Sequence, residues 1–130
     1  MKRVLIVDDE ESIRLLLQRI LKSNPALEIT LASGSDEALT LAAERAYDLI
    51  LLDLLMPGVG GIEVLTRLRG GSANEKTPVI IVSVLADEHT KMACQSMGVS
   101  GYLVKPIDRE AVIKAVDGAI SAGGRAPLAR

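Results

Sequence analysis

Four apolar runs in this chain each end on a residue with a reactive polar head. Val4-Leu5-Ile6-Val7 leads into Asp8-Asp9, Leu49-Ile50-Leu51-Leu52 into Asp53, Val79-Ile80-Ile81-Val82 into Ser83, and Tyr102-Leu103-Val104 into Lys105. Apolar runs followed by helical patterns read as buried parallel strands. An open parallel sheet binds its ligands outside the carboxyl ends of its strands. Three carboxylates, a hydroxyl and an ammonium would then meet at one sheet edge. Crowded carboxylates repel, so either one is protonated or a cation joins them. All-oxygen ligands suit a hard ion, Mg²⁺ or Mn²⁺. Such an ion favours a phosphoryl group, to which Lys105 would offer a positive point charge and Ser83 a hydroxyl donor. A carboxylate can itself take a phosphoryl group and become an aspartyl-phosphate.

The elements that must hold these groups alternate strand with helix. The first strand is expected at Arg3 to Val7, before a helix striped by Ile13, Leu16, Leu17, Ile20 and Leu21 and stopped by Asn24-Pro25. Leu27 to Ala32 alternates apolar with polar, as an edge strand does. Ser35 is the expected N-cap of a helix carrying Ala38, Leu39, Ala42 and Ala46. Leu49 to Leu52 is apolar throughout and should be central. A loop with Pro57, Gly58, Gly60 and Gly61 precedes a helix using Val64, Leu65 and Leu68. After the loop from Gly70 to Pro78 comes a strand at Val79 to Val82, then a polar helix at Asp87 to Met97 with Gly98 as its C′ residue. Gly101 to Val104 is the fifth strand. The last helix starts near Asp108 and uses Val112, Ala115, Val116, Ala119 and Ile120, with Gly123-Gly124 closing it. Strictly alternating units of this kind give a doubly wound α/β sandwich with right-handed crossovers. Residues 1–122 are read as one domain and 123–130 as a tail or linker stub.

Composition bounds the function classes. The 130 residues are 48% hydrophobic, enough for a proper core, which must be aliphatic because Phe and Trp are absent and Tyr occurs twice. Fifteen basic against 17 acidic residues give a net charge of −2 with no basic stripe, which argues against direct nucleic-acid binding. One cysteine excludes an intrachain disulfide. No apolar stretch approaches the ~20 residues of a membrane span, and the amino terminus is too short in apolar residues for a signal peptide. A cytoplasmic protein is expected.

The acidic pair Asp8-Asp9, the run Asp53-Leu54-Leu55-Met56-Pro57 with Gly61 behind it, Ser83, and Tyr102-Leu103-Val104-Lys105-Pro106 together resemble the receiver domain of two-component response regulators (CheY-like). The resemblance covers roughly residues 3 to 121. It implies a flavodoxin-like (βα)5 sandwich whose five-stranded parallel sheet has the order 2-1-3-4-5. It also implies that Asp53 accepts a phosphoryl group from a histidine kinase's phosphohistidine, or from a phosphotransfer protein. The chain would catalyse only its own phosphorylation and dephosphorylation. Asp9 and Asp53 would bind Mg²⁺ directly, Asp8 through a water, and the backbone carbonyl of Leu55 would complete the ligands. Lys105 would pair with the phosphate beside a cis Lys105–Pro106 bond. Ser83 and Tyr102 would switch together and reshape the surface of helix four, strand five and helix five for an effector or output domain, or for a second copy of the chain.

Some residues depart from the family's pattern. Val84 stands where Ala or Gly is usual and would narrow access to the site. Leu55 and Leu85, two residues after Asp53 and Ser83, are apolar and could not orient an attacking water, so a long-lived aspartyl-phosphate is expected. Gly60 replaces a usual acidic or polar residue, which should loosen the Gly60-Gly61 loop. Ile107 stands where Phe is frequent, and Val99-Ser100-Gly101 lacks the acidic pair typical of receivers fused to winged-helix domains.

Taken singly, each residue has an ordinary role: Asp8-Asp9 as helix caps, Asp53 as a turn residue, Ser83 as a strand-end serine, Lys105 as a surface lysine. Their joint occurrence carries the resemblance. His89, without partners, reads as solvated, Cys94 as packed and inert, and Met92 and Met97 as core filler. Three other functions compete. A flavin-binding protein of the same fold would meet repulsion from Asp8-Asp9-Glu10-Glu11. A haloacid-dehalogenase-type phosphatase needs an aspartate where Glu10 stands, as well as a cap domain, for which the chain has no room. A degenerate receiver would act only as an interaction module.

Overall fold

Each apolar run becomes a strand, because five neighbouring runs can satisfy their backbone hydrogen bonds only by pairing with one another. In chain order the elements are β1 (Lys2–Val7), α1 (Glu11–Leu21), β2 (Leu27–Ala32), α2 (Ser35–Glu44), β3 (Leu49–Leu52), α3 (Gly61–Arg69), β4 (Val79–Ser83), α4 (Glu88–Ser96), β5 (Gly101–Val104) and α5 (Arg109–Ser121). The strands form one parallel sheet in the order β2-β1-β3-β4-β5. This computed structural model describes residues 1–122, so the expected Gly123-Gly124 stop and the 123–130 tail lie outside the described residues. No helix among the described residues is long and apolar enough to cross a membrane.

The period of two along each central strand divides the core into two layers. Leu5, Val7, Ile50, Leu52, Val79 and Ile81 pack with Ala38, Ala42, Val64, Leu65, Leu68 and Cys94 from α2, α3 and α4. Val4, Ile6, Leu49, Leu51, Ile80 and Val82 pack with Leu17, Ile20, Leu21, Val112, Val116 and Ala119 from α1 and α5. Each fully buried aliphatic side chain contributes about 1.5–3 kcal/mol. β2 and β5, at the edges, are half-covered along most of their length.

Register sets the functional edge. Val7 pairs with Leu52, Leu52 with Ile81, and Ser83 with Val104. The ladder continues one step past the strands: Asp53 N donates to Val7 O at 3.0 Å and Lys105 N to Ser83 O at 2.8 Å. Asp8, Asp53, Ser83 and Lys105 are thereby lined up on one rim. Chain order reverses between β1 and β3, so Asp8 and Asp53 flank the switch point of the fold.

Local expectations differ at three places. Ser35 is not the N-cap of α2 but its first residue; it is buried, and its hydroxyl donates to Val59 O across the next loop. The backbone N–H of Ser33 donates instead to the Glu37 carboxylate, 2.7 Å away. Ala46 is exposed beyond the end of α2, which stops at Glu44. Met92 is 64% exposed rather than core filler. It sits two residues from the buried Cys94, a rotation of about 200° around the helix. At Gly61 a Cβ would collide with the Asp53 carbonyl oxygen and lie 2.6 Å from Leu54 Cα, so the close approach of α3 to the end of β3 needs glycine there. Cys94 is buried as expected, and Asp87 caps α4 by accepting from Thr90 N at 3.0 Å.

Candidate functional site

The rim groups converge on one ammonium. Lys105 Nζ donates to Asp8 Oδ2 at 2.9 Å, to Glu10 Oε1 at 3.4 Å and to Asp53 Oδ2 at 3.5 Å. Asp8 and Asp53 are 1% and 4% exposed, so their charges are held out of water, while Asp9 stands at the exposed mouth. The free carboxylate oxygens are partly satisfied locally: Asp8 Oδ1 accepts from Glu10 N at 2.9 Å and Asp53 Oδ1 from Leu55 N at 3.3 Å. These two-residue turns fix each carboxylate on the rim.

Burial, reinforced by the Asp8 charge, pushes the Asp53 carboxyl above its ordinary range, against the pull of Lys105. Burial works against the Lys105 ammonium too. The hydrogen bond to Asp8 and the charges of Asp53 and Asp8 outweigh it, so Lys105 holds its proton more tightly than usual. One lysine is therefore shared among more negative charge than it can neutralise. One carboxylate oxygen each from Asp8, Asp9 and Asp53 lies within 4.8 Å of the others. Three hard oxygens at this spacing, with an uncompensated charge among them, fit a divalent cation with oxygen preference.

The neighbouring rim groups are placed as follows. Ser83 is fully buried, and its hydroxyl accepts from Leu85 N at 3.2 Å. Tyr102, half-buried on β5, donates its hydroxyl to Leu85 O at 2.7 Å. Leu85 is thus held from both sides by the serine and the tyrosine. Val84 and Leu55 are 56% and 50% exposed, and Leu85 packs partly into the α3-side core. The Lys105–Pro106 peptide is cis.

Two residues at this rim escaped the sequence reading. Glu10, adjacent to the acidic pair, supplies the third carboxylate on Lys105. Its position next to Asp9 was the available signal. Arg14 donates to the Asp8 backbone carbonyl at 2.8 Å from one turn into α1, and an arginine on a helix face carries no signal of such a contact.

The comparisons agree with this geometry. The response regulator receiver domain family matches residues 4–117. The chain is 40% identical over 114 residues to the transcriptional regulatory protein ResD of Bacillus subtilis, covering 86% of this chain and 45% of that protein. It is 40% identical over 112 residues to the transcriptional regulatory protein SrrA of Staphylococcus aureus, with 85% and 45% covered. The chain therefore spans a little under half the length of these curated relatives. Among solved structures, the chemotaxis response regulator CheY4 of Vibrio cholerae superposes with a TM-score of 0.83 at 30% identity, over 92% of this chain and 98% of that one. The response regulator TrrA of Thermotoga maritima, solved in complex with Mg²⁺-BeF, gives 0.79 at 30% identity over 92% and 99%. With its acidic pocket of Asp8, Asp9 and Asp53 and its Lys105, the chain belongs to the response regulator receiver domains, the phosphoacceptor modules of two-component signalling.

Proposed function

We propose that Asp53 is the phosphoacceptor. A sensor histidine kinase or phosphotransfer protein would present a phosphohistidine, and an Asp53 carboxylate oxygen would attack its phosphorus. An O–P bond forms as the N–P bond breaks, and the electron pair leaves with the imidazole nitrogen. The observation that carries this reading is the buried Asp53 carboxylate at the switch point, 3.5 Å from Lys105 and grouped with Asp8 and Asp9. Mg²⁺ or Mn²⁺, when bound, would supply positive charge to the transferring phosphoryl oxygens. Asp9 and Asp53 would hold the ion directly, Asp8 through a water, and the Leu55 carbonyl would complete the protein ligands. Lys105 is already charged and aimed at Asp53, so it needs no reorganisation to meet the phosphate.

Phosphorylated Asp53 would draw the Ser83 hydroxyl away from Leu85 N and toward the phosphate, and Tyr102 would swing into the space it leaves. The surface of α4, β5 and α5 then changes for an effector, an output domain or a second copy of the chain, with no direct contact to nucleic acid or membrane by this domain. Val84 and Leu85 would tune access and dephosphorylation. We place the chain in the cytoplasm, as a kinase-fed module comprising residues 1–122.

Incubation with Mg²⁺ and acetyl phosphate, followed by intact mass, tests the reading. One phosphoryl group on the wild type and none on Asp53→Asn is the expected result. Binding of Mg²⁺ without phosphorylation by acetyl phosphate or by any histidine kinase would favour the interaction-module alternative.

A further inference from the structure

The loop that follows Asp53 carries the Leu55 carbonyl, and little within it fixes its shape. Leu55 N donates to Asp53 Oδ1 at 3.3 Å, and Gly61 N closes the loop onto Leu54 O at 3.0 Å. Leu54 and Met56 are buried, but Leu55, Pro57 and Gly58 are exposed. Gly58, at φ +76°, and Gly60 add backbone freedom that an ordered loop must lose. Among the described residues, 55–59 receive one hydrogen bond from outside the loop. It is the Ser35 hydroxyl, donating to Val59 O from the first turn of α2.

Ser35 is itself firmly held. It is 5% exposed, so its hydroxyl has little water to turn to and must find a protein partner. The turn that carries it is closed by its own bonds. Ser33 N and Ser33 Oγ both donate to Glu37 Oε1, at 2.7 and 3.0 Å, and Ala38 N donates to Gly34 O at 3.0 Å. Just before that turn, Asp8 N donates to Ala32 O at 3.2 Å. The anchor therefore stands on the strand next to the one that ends in Asp8 and Asp9.

We propose that Ser35 is a positioning residue for the metal centre: its hydroxyl tethers Val59 and so holds the loop that presents the Leu55 carbonyl to Mg²⁺ or Mn²⁺. The inference rests on the reading above, in which Asp9, Asp53 and that carbonyl hold the ion. Ser35 acts through the loop and is not itself a ligand. A chain whose binding-competent loop is only part-populated binds with an affinity reduced by that fraction. With the tether, folding has already ordered the loop. Without it, the ordering has to accompany binding and weakens it.

Calorimetric titration of the full chain with Mg²⁺ tests the tether. Ser35→Ala should bind the ion about fivefold more weakly than the wild type, the equivalent of one net hydrogen bond. Ser35→Thr keeps the hydroxyl and should stay within about twofold. Ser35→Cys, close in shape but a weak donor, should side with the alanine variant and serves if that variant does not fold. Thr77→Val is the control for lost stability alone. It removes hydroxyl contacts of 3.1 Å to Tyr47 O and 2.9 Å to Asn74 Oδ1, in a network that Arg69 joins at the opposite end of the sheet. This control should bind Mg²⁺ as the wild type does. In chelator, hydrogen exchange followed by NMR should show the Gly61 amide of Ser35→Ala exchanging about fivefold faster, with the amides of β1 and β4 at the wild-type rate. An unchanged Mg²⁺ affinity in Ser35→Ala, or an equal loss in Thr77→Val, would overturn the tether and leave the metal reading standing. Exchange quickened evenly over the sheet would also overturn it, since general loss of stability produces that pattern. A wild type that binds no Mg²⁺ would overturn the metal reading, and this inference with it.

Discussion

Asp53→Asn should make the metal-free chain more stable. The substitution keeps size and shape and removes one charge from a buried cluster. At an effective dielectric constant of 20, two carboxylate oxygens 4.8 Å apart repel by about 3.5 kcal/mol, and Asp53 faces both Asp8 and Asp9 at no more than that distance. Its attraction to Lys105 at 3.5 Å returns about 4.7 kcal/mol on the same scale. Asp9 is exposed and its share is screened, while the burial penalty on Asp53 acts in the same direction as the repulsion. The net relief is on the order of 1–3 kcal/mol. For a domain of this size that raises the melting temperature by roughly 3–10 °C.

The pH dependence has a definite sign. The folded Asp53 carboxyl is raised above its ordinary value, so the folded chain binds the proton better than the unfolded chain. The stability gained from that proton is present in acid and lost as pH rises through the folded value. The advantage of Asp53→Asn should therefore be full at neutral pH and shrink on acidification. Circular-dichroism melts in chelator across this range measure it. Adding Mg²⁺ at about 100 times its dissociation constant should stabilise the wild type by about 2.7 kcal/mol and the variant much less. A variant that melts at or below the wild type in chelator, or an equal Mg²⁺ shift in both proteins, would refute the electrostatic argument.

Three further variants probe other parts of the fold and site. Gly61→Ala places a methyl against the backbone of Asp53 and Leu54; it should cost about 3 kcal/mol or more and perturb phosphorylation, read by melting and by the acetyl phosphate assay. Asn74→Ala strands the N–H of Tyr47 and the carbonyls of Ala42 and Arg45, which Asn74 now satisfies at 2.7–2.9 Å. A loss of about 3–5 kcal/mol in urea unfolding is expected, and a loss below about 1 kcal/mol would contradict the accounting. Leu55→Asn combined with Leu85→Glu supplies groups able to orient water at Asp53. Decay of the phosphorylated form should then quicken by at least roughly tenfold, and an unchanged rate would remove the reason offered for a long-lived phosphate.

Strands and site were legible because hydrophobic burial and strand ends leave marks in composition. Leu49 to Leu52 had to be central because it has no polar position, and Leu27 to Ala32 had to be an edge because Glu28 and Thr30 alternate with apolar residues. Asp8, Asp53 and Lys105 could be assembled because the sheet rule puts strand ends on one rim. The network of Arg69, Asn74 and Thr77 left no such mark. It joins Asn74 to Tyr47 across 27 positions, in a stretch that reads as an ordinary polar loop. Ser35 misled for a related reason: the spacing that suggests a cap is local, whereas its hydroxyl is spent on Val59, 24 residues away. Met92 shows that an apolar residue on a weakly amphipathic helix has no assured face.

The absence of phenylalanine and tryptophan leaves the chain with two tyrosines, one just before the central β3 and one on the edge strand β5. Tyr47 is buried beside Asn74, and Tyr102 reaches Leu85 at the functional rim. Replacing Tyr47 with phenylalanine would leave a single fluorophore, with no indole to drain its excitation and its hydroxyl on the contact that matters. Emission from such a variant would report the Tyr102–Leu85 contact in real time, without a label, on the molecule's own optical channel.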